Sequence, residues 1–208
     1  MENFWSRYKR NHAAVFGLFV VALIIVMAIT ASFLYPEDPF RLVGKPLSKP
    51  LTNGFLLGSD SLGRDVASGI VHGAKTSLLI GFVATLVSVF IGIFFGAFAG
   101  YFGGLIDDIL MRVTEIFQTI PSFIFAILLV AIMKPSMSSI VIAIAVVSWP
   151  GVARLVRGEF LAVKNREFVQ ACHTLGMSDL RIMLWEILPN CLSPIIVVGS
   201  LMVATAIL

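Results

Sequence analysis

The sequence predicts an all-α polytopic membrane protein with about five spans, and three observations predict it. Of 208 residues, 58% are hydrophobic and only 13% charged, where a soluble domain is about half apolar and about a quarter charged. The apolar runs are long enough to cross a bilayer core of about 30 Å. The basic residues gather in particular connections, above all between Arg154 and Asn190, which is the asymmetry that orients membrane spans.

Residues 1–74 read as an N-terminal span followed by an extracytoplasmic loop. Arg7, Lys9 and Arg10 form a short basic prelude, and Ala13 to Leu34 then runs without a charge. As a helix that run is about 33 Å long, enough to span, and the basic residues before it favour a cytoplasmic N-terminus. The run is too long for a cleavable leader, and no small-residue cleavage site follows it. Tyr35 to Ala74 is polar and contains Pro36, Pro39, Pro46 and Pro50, too many prolines for one continuous helix. Within it lies the string Gly58-Ser59-Asp60-Ser61-Leu62-Gly63-Arg64-Asp65. Asp60 and Ser61 suit a turn or cap, and Arg64 beside Asp65 offers neutralised charge.

Residues 75–208 hold the remaining spans. Ser77 to Gly100 is the second, and Ala84, Ser88, Gly92, Gly96 and Gly100 recur at every fourth position. Such a stripe lets backbones approach closely in lipid, where packing drives association, so it predicts tight contact with a neighbouring helix of the same chain. Tyr101 to Gly104 turns the chain, and Asp107, Asp108, Arg112 and Glu115 mark a polar stretch. Ile116 to Met133 reads as a third span kinked at Pro121. Ser139 to Val156 reads as a fourth, interrupted by Pro150-Gly151 and ending at Arg154 and Arg157.

The long water-facing segment after Tyr101 runs from about 158 to 190. Between Arg166 and Leu175, Arg166, Gln170, His173 and Thr174 fall on one face of a helix and Phe168, Cys172 and Leu175 on the other. Gly176 can end that helix in the left-handed conformation. Ser178 can cap a second helix with its hydroxyl, and Asp179 puts negative charge on its positive end. Leu180, Leu184 and Ile187 give the second helix an apolar face, and Leu188-Pro189 marks its junction with a fifth run, Cys191 to Leu208. A short helix, a sharp turn and a second helix make a docking element. Arg154, Arg157, Lys164, Arg166 and Arg181 lie along this segment, against Lys134 alone in the preceding turn. With the N-terminus inside, four crossings bring this basic segment back to the cytoplasm.

The residues Gln170-Ala171-Cys172, Gly176 and Leu188-Pro189 resemble the Glu-Ala-Ala loop of ABC importer permeases, whose form is Glu-Ala-Ala, three residues, Gly, then Ile-x-Leu-Pro after a fixed gap. Ala171, Gly176 and Leu188-Pro189 match; Gln170, Cys172 and Glu186 depart. The string Leu57 to Asp65 resembles the loop before the second span in the peptide and nickel branch of these permeases. The run from Gly104 through Asp107 to Leu110-Met111-Arg112 resembles the stretch before their third span.

The resemblance implies an importer-permease helical bundle, part of a translocation pathway for peptides or a related small solute. It assigns ATPase coupling to Glu167, Gln170, Ala171, Gly176, Ser178, Asp179, Leu188 and Pro189. It implies a second permease subunit, two ATPase subunits and an extracytoplasmic solute-binding protein as partners, with location in the cell inner membrane. The family has a sixth span, so the chain reads as missing its last one.

Other chemistries are disfavoured. Gly73-Ala74-Lys75-Thr76 lacks the spacing of a phosphate loop, so ATP hydrolysis is expected in a partner. His12, His72 and His173 are scattered, and Cys172 and Cys191 form no metal-binding pattern; no metal or cofactor is expected. Arg181 is the only basic side chain from Asp179 to Leu188, which disfavours a DNA-reading helix-turn-helix. An ATP-independent secondary transporter or channel normally carries ionisable residues inside its spans, and these runs hold essentially none. A non-transporting membrane anchor is the third reading.

Overall fold

The computed structural model describes residues 8–52 and 54–208; Arg7 of the basic prelude lies outside them. The chain forms two compact units, residues 1–79 and 80–208. Among the described residues, four helices are each long and apolar enough to cross a membrane, and a bent pair raises the count to as many as five.

In the first unit, α1 is His12–Leu34, opened by Asn11, whose side chain accepts the Ala14 N–H. The segment after it is a compact loop rather than a tether. Val43 and Gly44 donate backbone N–H groups to the Gly63 carbonyl, Leu47 donates to Asp60, and Ser59 donates to Ser48. The buried Ser59 hydroxyl donates to the Lys45 carbonyl at 2.6 Å and accepts the Ser48 N–H at 2.9 Å. The string 58–65 is thus pinned against residues 43–48.

The second helix, α2, is Val66–Phe102. It begins well before the expected Ser77, because Asp65 caps it: its carboxylate accepts the Ala67 N–H at 2.9 Å. Gly73-Ala74-Lys75-Thr76 lies inside this helix. Its Lys75 donates to the Ser32 hydroxyl at 2.8 Å, and the His72 ring bonds the Tyr35 carbonyl.

The second unit is arranged around α5, Met137–Val163, on which α3 (Gly104–Thr119), α4 (Ser122–Met133) and the last helix, α7 (Asp179–Ile207), all pack. The fourth span is therefore longer than expected. Pro150 is tolerated inside α5 without interrupting it, and Arg154 and Arg157 sit within the helix rather than beyond it. The third span is corrected in the other direction. It is no kinked helix over 116–133; α3 and α4 are separate and meet at 83°. Ile120 is extended (φ −90°, ψ 131°), the conformation a following proline imposes, and Pro121 starts the new direction.

At the expected junction, Leu188-Pro189, the chain stays helical. α7 runs through it, with its turns widened to a π-helix over Ile182–Ile187. The Leu188 N–H reaches five residues back to the Met183 carbonyl, and the wider turn absorbs the proline, which lacks an N–H and needs room for its ring.

The small-residue stripe faces α5. A Cβ at Gly92 would lie 2.5 Å from that of Val152, and one at Gly100 would lie 2.6 Å from that of Phe160. One at Gly96 would strike the Ala153 carbonyl oxygen. Ser88, fully buried, donates to the Ala145 carbonyl at 3.3 Å.

Candidate functional site

The site is a helix pair outside the longest apolar stretches: α6, Glu167–Thr174, a tight turn, and the first turns of α7. Arg166 precedes α6 in extended conformation, and Glu167 lies in its first turn, where a carboxylate suits the positive end. The turn closes through two backbone bonds. Met177 donates to the Cys172 carbonyl at 3.1 Å and Gly176 to that of His173 at 3.0 Å. This pairing needs a left-handed residue after the helix, and Gly176 supplies it at φ +74°.

Ser178 differs from the expectation. It stands at the N-cap of α7 in extended conformation, but its hydroxyl makes no capping bond; the Ser178 carbonyl instead accepts the Ile182 N–H. Asp179 serves another partner. Its carboxylate accepts the Tyr101 hydroxyl at 2.6 Å, and the same hydroxyl lies 3.4 Å from His173 Nε2. Lys164 Nζ donates to the Tyr101 carbonyl at 3.3 Å. The C-terminal end of α2 is thereby tied to both helices of the pair. Nothing in the sequence marked Tyr101; only proximity in the fold reveals it.

The buried faces are also different from the expected ones. Under α6 it is Val169, fully buried, with Cys172 partly so, rather than Phe168 and Leu175. Under α7 it is Ile182, Met183 and Ile187, which join Val156, Phe160 and Val163 of α5 in one core. Leu180 and Leu184 face outward; Leu184 lies in the π-helix, which turns the inward stripe away from a regular 3.6-residue period. Leu175 is 80% exposed and Trp185 73%. Exposed with them, Leu180 and Leu184 make an apolar knuckle on a rigid base. Ala171 and Gln170 lie on α6, where Gln170 donates to the Asn165 carbonyl at 3.3 Å. Leu188 and Pro189 lie within α7, well behind the turn.

A second polar feature adjoins the core. Arg157 of α5 grips Asp107 of α3 through two bonds, Nε to Oδ1 at 2.5 Å and an Nη to Oδ2 at 2.6 Å. Asp108, Arg112, Glu115 and Arg154 border the same cavity. Charged groups are thus present within the helices, and Arg157 with Asp107 and Arg112 with Glu115 are paired among them.

The first-unit string makes no comparable site. Asp60 accepts the Leu62 and Arg64 N–H groups, each at 2.8 Å, and those bonds, the Arg64 one foremost, hold its carboxyl below the usual range. Gly58 and Gly63 have φ of +85° and +82°, and a side chain at either would strike the Ser48 or Gly44 carbonyl oxygen. Arg64 lies over the Phe40 ring at 5.4 Å, and among the described residues no ion pair joins it to Asp65. This is a folded turn.

A polytopic helical membrane protein that holds an exposed, rigidly seated helix pair between two spans is the class these features define. The chain belongs to the binding-protein-dependent transport system inner membrane component family, whose pattern matches residues 92–208. The N-terminal TM domain of oligopeptide transport permease C matches residues 1–49. The chain is 36% identical, over all its length and 72% of the relative's, to the dipeptide transport system permease protein DppC of Haemophilus influenzae. It is 41% identical to that of Escherichia coli, over 71% of the relative. To the glutathione transport system permease protein GsiD of Shigella flexneri it is 39% identical, over 69% of the relative. It is a multi-pass protein of the inner membrane.

Proposed function

We propose that this chain is a permease subunit of an ATP-driven importer, forming part of the translocation pathway for peptides or a related small solute. In this reading it joins a second permease subunit, two ATPase subunits and an extracytoplasmic solute-binding protein. Bond breaking is left to the ATPases. The helix pair α6–α7 carries force from them into the spans, with Glu167, Gln170, Ala171, Gly176, Ser178 and Asp179 on or beside the contacting surface. Leu188 and Pro189 act behind it, in the wide turn that joins the pair to its span. The N-terminus is cytoplasmic, on the same side as the basic segment from Arg154 to Arg181.

The observation that carries the proposal is the knuckle. Leu175, Leu180, Leu184 and Trp185 are exposed apolar side chains beside a turn whose underside is fully buried. Exposed apolar groups outside the lipid fit a protein partner, and the rigid seating means that a push on the turn reaches α5 and α7. The relatives named for dipeptide and glutathione transport support a peptide-like solute.

The test is purification of the assembled complex, with uptake of a labelled dipeptide into proteoliposomes. Uptake that requires ATP, and an ATPase subunit lost on replacing Trp185 and Leu184 by Asp, are expected. Uptake without any ATPase in the complex overturns the reading.

A further inference from the structure

Hydroxyls in lipid-buried helices normally bond a carbonyl one turn back, because hydrocarbon offers nothing else. Thr30, Thr119, Ser200 and Thr205 do so here, at 2.7–3.0 Å. Three hydroxyls that make no such bond line one cavity of about 240 Å³: Thr85 of α2, Ser122 at the start of α4 and Ser148 of α5. Thr85 is only 6% exposed, and its hydroxyl has no hydrogen-bond partner at all. An unpartnered hydroxyl in an apolar setting is unfavourable, so its presence calls for a polar occupant.

Two further features define that occupant. The first turn of α4 begins at the 83° bend with no side-chain cap, so its N–H groups and the positive end of its dipole lie beside the cavity through Ser122. The cavity lining contains no Lys, Arg, Asp or Glu; its polarity is that of donors without a full charge. A neighbouring cavity of about 360 Å³ shares Phe123, Ala126 and Ile144 with it and is apolar throughout. A donor-rich hollow that continues into an apolar one matches a molecule with an acceptor at one end and a hydrocarbon side chain next to it.

We propose that the paired cavities are a subsite on the translocation route. The hydroxyl cavity takes the carboxylate of a short peptide, and the apolar one takes the adjacent side chain. This deepens the importer reading and rests on it. Thr85 and Ser148 donate to the carboxylate, Ser122 and the first N–H groups of α4 complete the donor set, and water fills the hollow between passages.

The test uses the whole importer in proteoliposomes, at concentrations that saturate the binding protein, with labelled dialanine and its C-terminal amide as probes. The variants are Thr85→Val, Ser148→Ala, their combination, and Thr85→Ser as the conservative control. The double variant should lower the maximal rate for dialanine about tenfold and bring the acid-to-amide ratio close to one; Thr85→Ser should keep both near wild type. Because the Thr85 hydroxyl has no partner in the chain, Thr85→Val should leave thermal stability unchanged or raised while slowing transport. A structural role would move both downward together. A double variant that assembles and transports with the wild-type rate and ratio shows a hollow that holds only water, and overturns the subsite. A wild-type complex that moves neither probe overturns the importer reading itself.

Discussion

Replacing Gly96 by Ala tests the packing on which the second unit depends. A Cβ there would strike the Ala153 carbonyl oxygen and lie 2.7 Å from Val156 Cβ and 3.0 Å from the Arg157 nitrogen. Two of these are backbone atoms that no rotamer change can move. Restoring an ordinary contact of 3.4 Å to Val156 alone requires about 0.7 Å of helix separation (3.4 − 2.7), and the nearer Ala153 oxygen requires more. Overpacking of this kind costs about 1–3 kcal/mol, while Gly to Ala in a helix returns about 0.8–1.0 kcal/mol of propensity. Gly73→Ala cancels the second effect: it lies in the same helix, with nothing within 4 Å of its Cβ. The difference between the two variants should therefore be about 1–3 kcal/mol against Gly96→Ala. It can be read by titrating mixed micelles with dodecyl sulfate and following Trp149, with Trp5 and Trp185 replaced by Phe. Trp149 is buried, with its ring 4.6 Å from that of Phe95, so loss of α2–α5 contact changes its emission. Equal stability of the two variants, within about 0.5 kcal/mol, would refute the close approach of these helices.

Gly176→Val places a β-branched residue at φ +74°, a strain of about 1–3 kcal/mol; ATP use per dipeptide imported should rise while membrane insertion is unchanged, and an unaltered ratio would count against the coupling role. Asp107→Ala should destabilise by about 1–3 kcal/mol, since Arg157 is only 36% exposed and loses two bonds; a double-mutant cycle with Arg157→Ala showing no coupling would remove the pair from the account. Asp60 has a carboxyl held below its ordinary range by backbone N–H donors, that of Arg64 first. A group with a depressed folded pKa stabilises above its unfolded value, about 3.9, and that contribution fades as pH falls through the folded value. Protection of the Leu62 and Arg64 amides, relative to the unstructured exchange rate at each pH, should persist below the unfolded carboxylate value and fall as pH drops through the lower folded one, whereas Asp60→Ala should lack that protection throughout.

The Gly176 turn and the four-residue rhythm of small positions were legible in the sequence, because both are local: one residue's backbone freedom, and one helix's period. Tyr101 was not, since its hydroxyl meets Asp179 only when α2 and α7 are brought together. The exposed knuckle was half legible. Its residues were visible as apolar, but Leu184 and Trp185 lie in the π-helix over Ile182–Ile187, and that changes which positions share a face.

By itself the sequence determined the membrane class, the approximate number of spans and the glycine positions, since apolar length and backbone freedom belong to residues and short runs. Only the tertiary structure decided what each proline does. Pro150 stays inside a helix, Pro189 is absorbed by a widened turn, and Pro121 begins a helix at 83° to the one before it. The residue type is the same in all three. The outcome differs because a proline removes one donor and adds one clash, and the surrounding turns and neighbouring helices decide whether the backbone can meet both and remain helical.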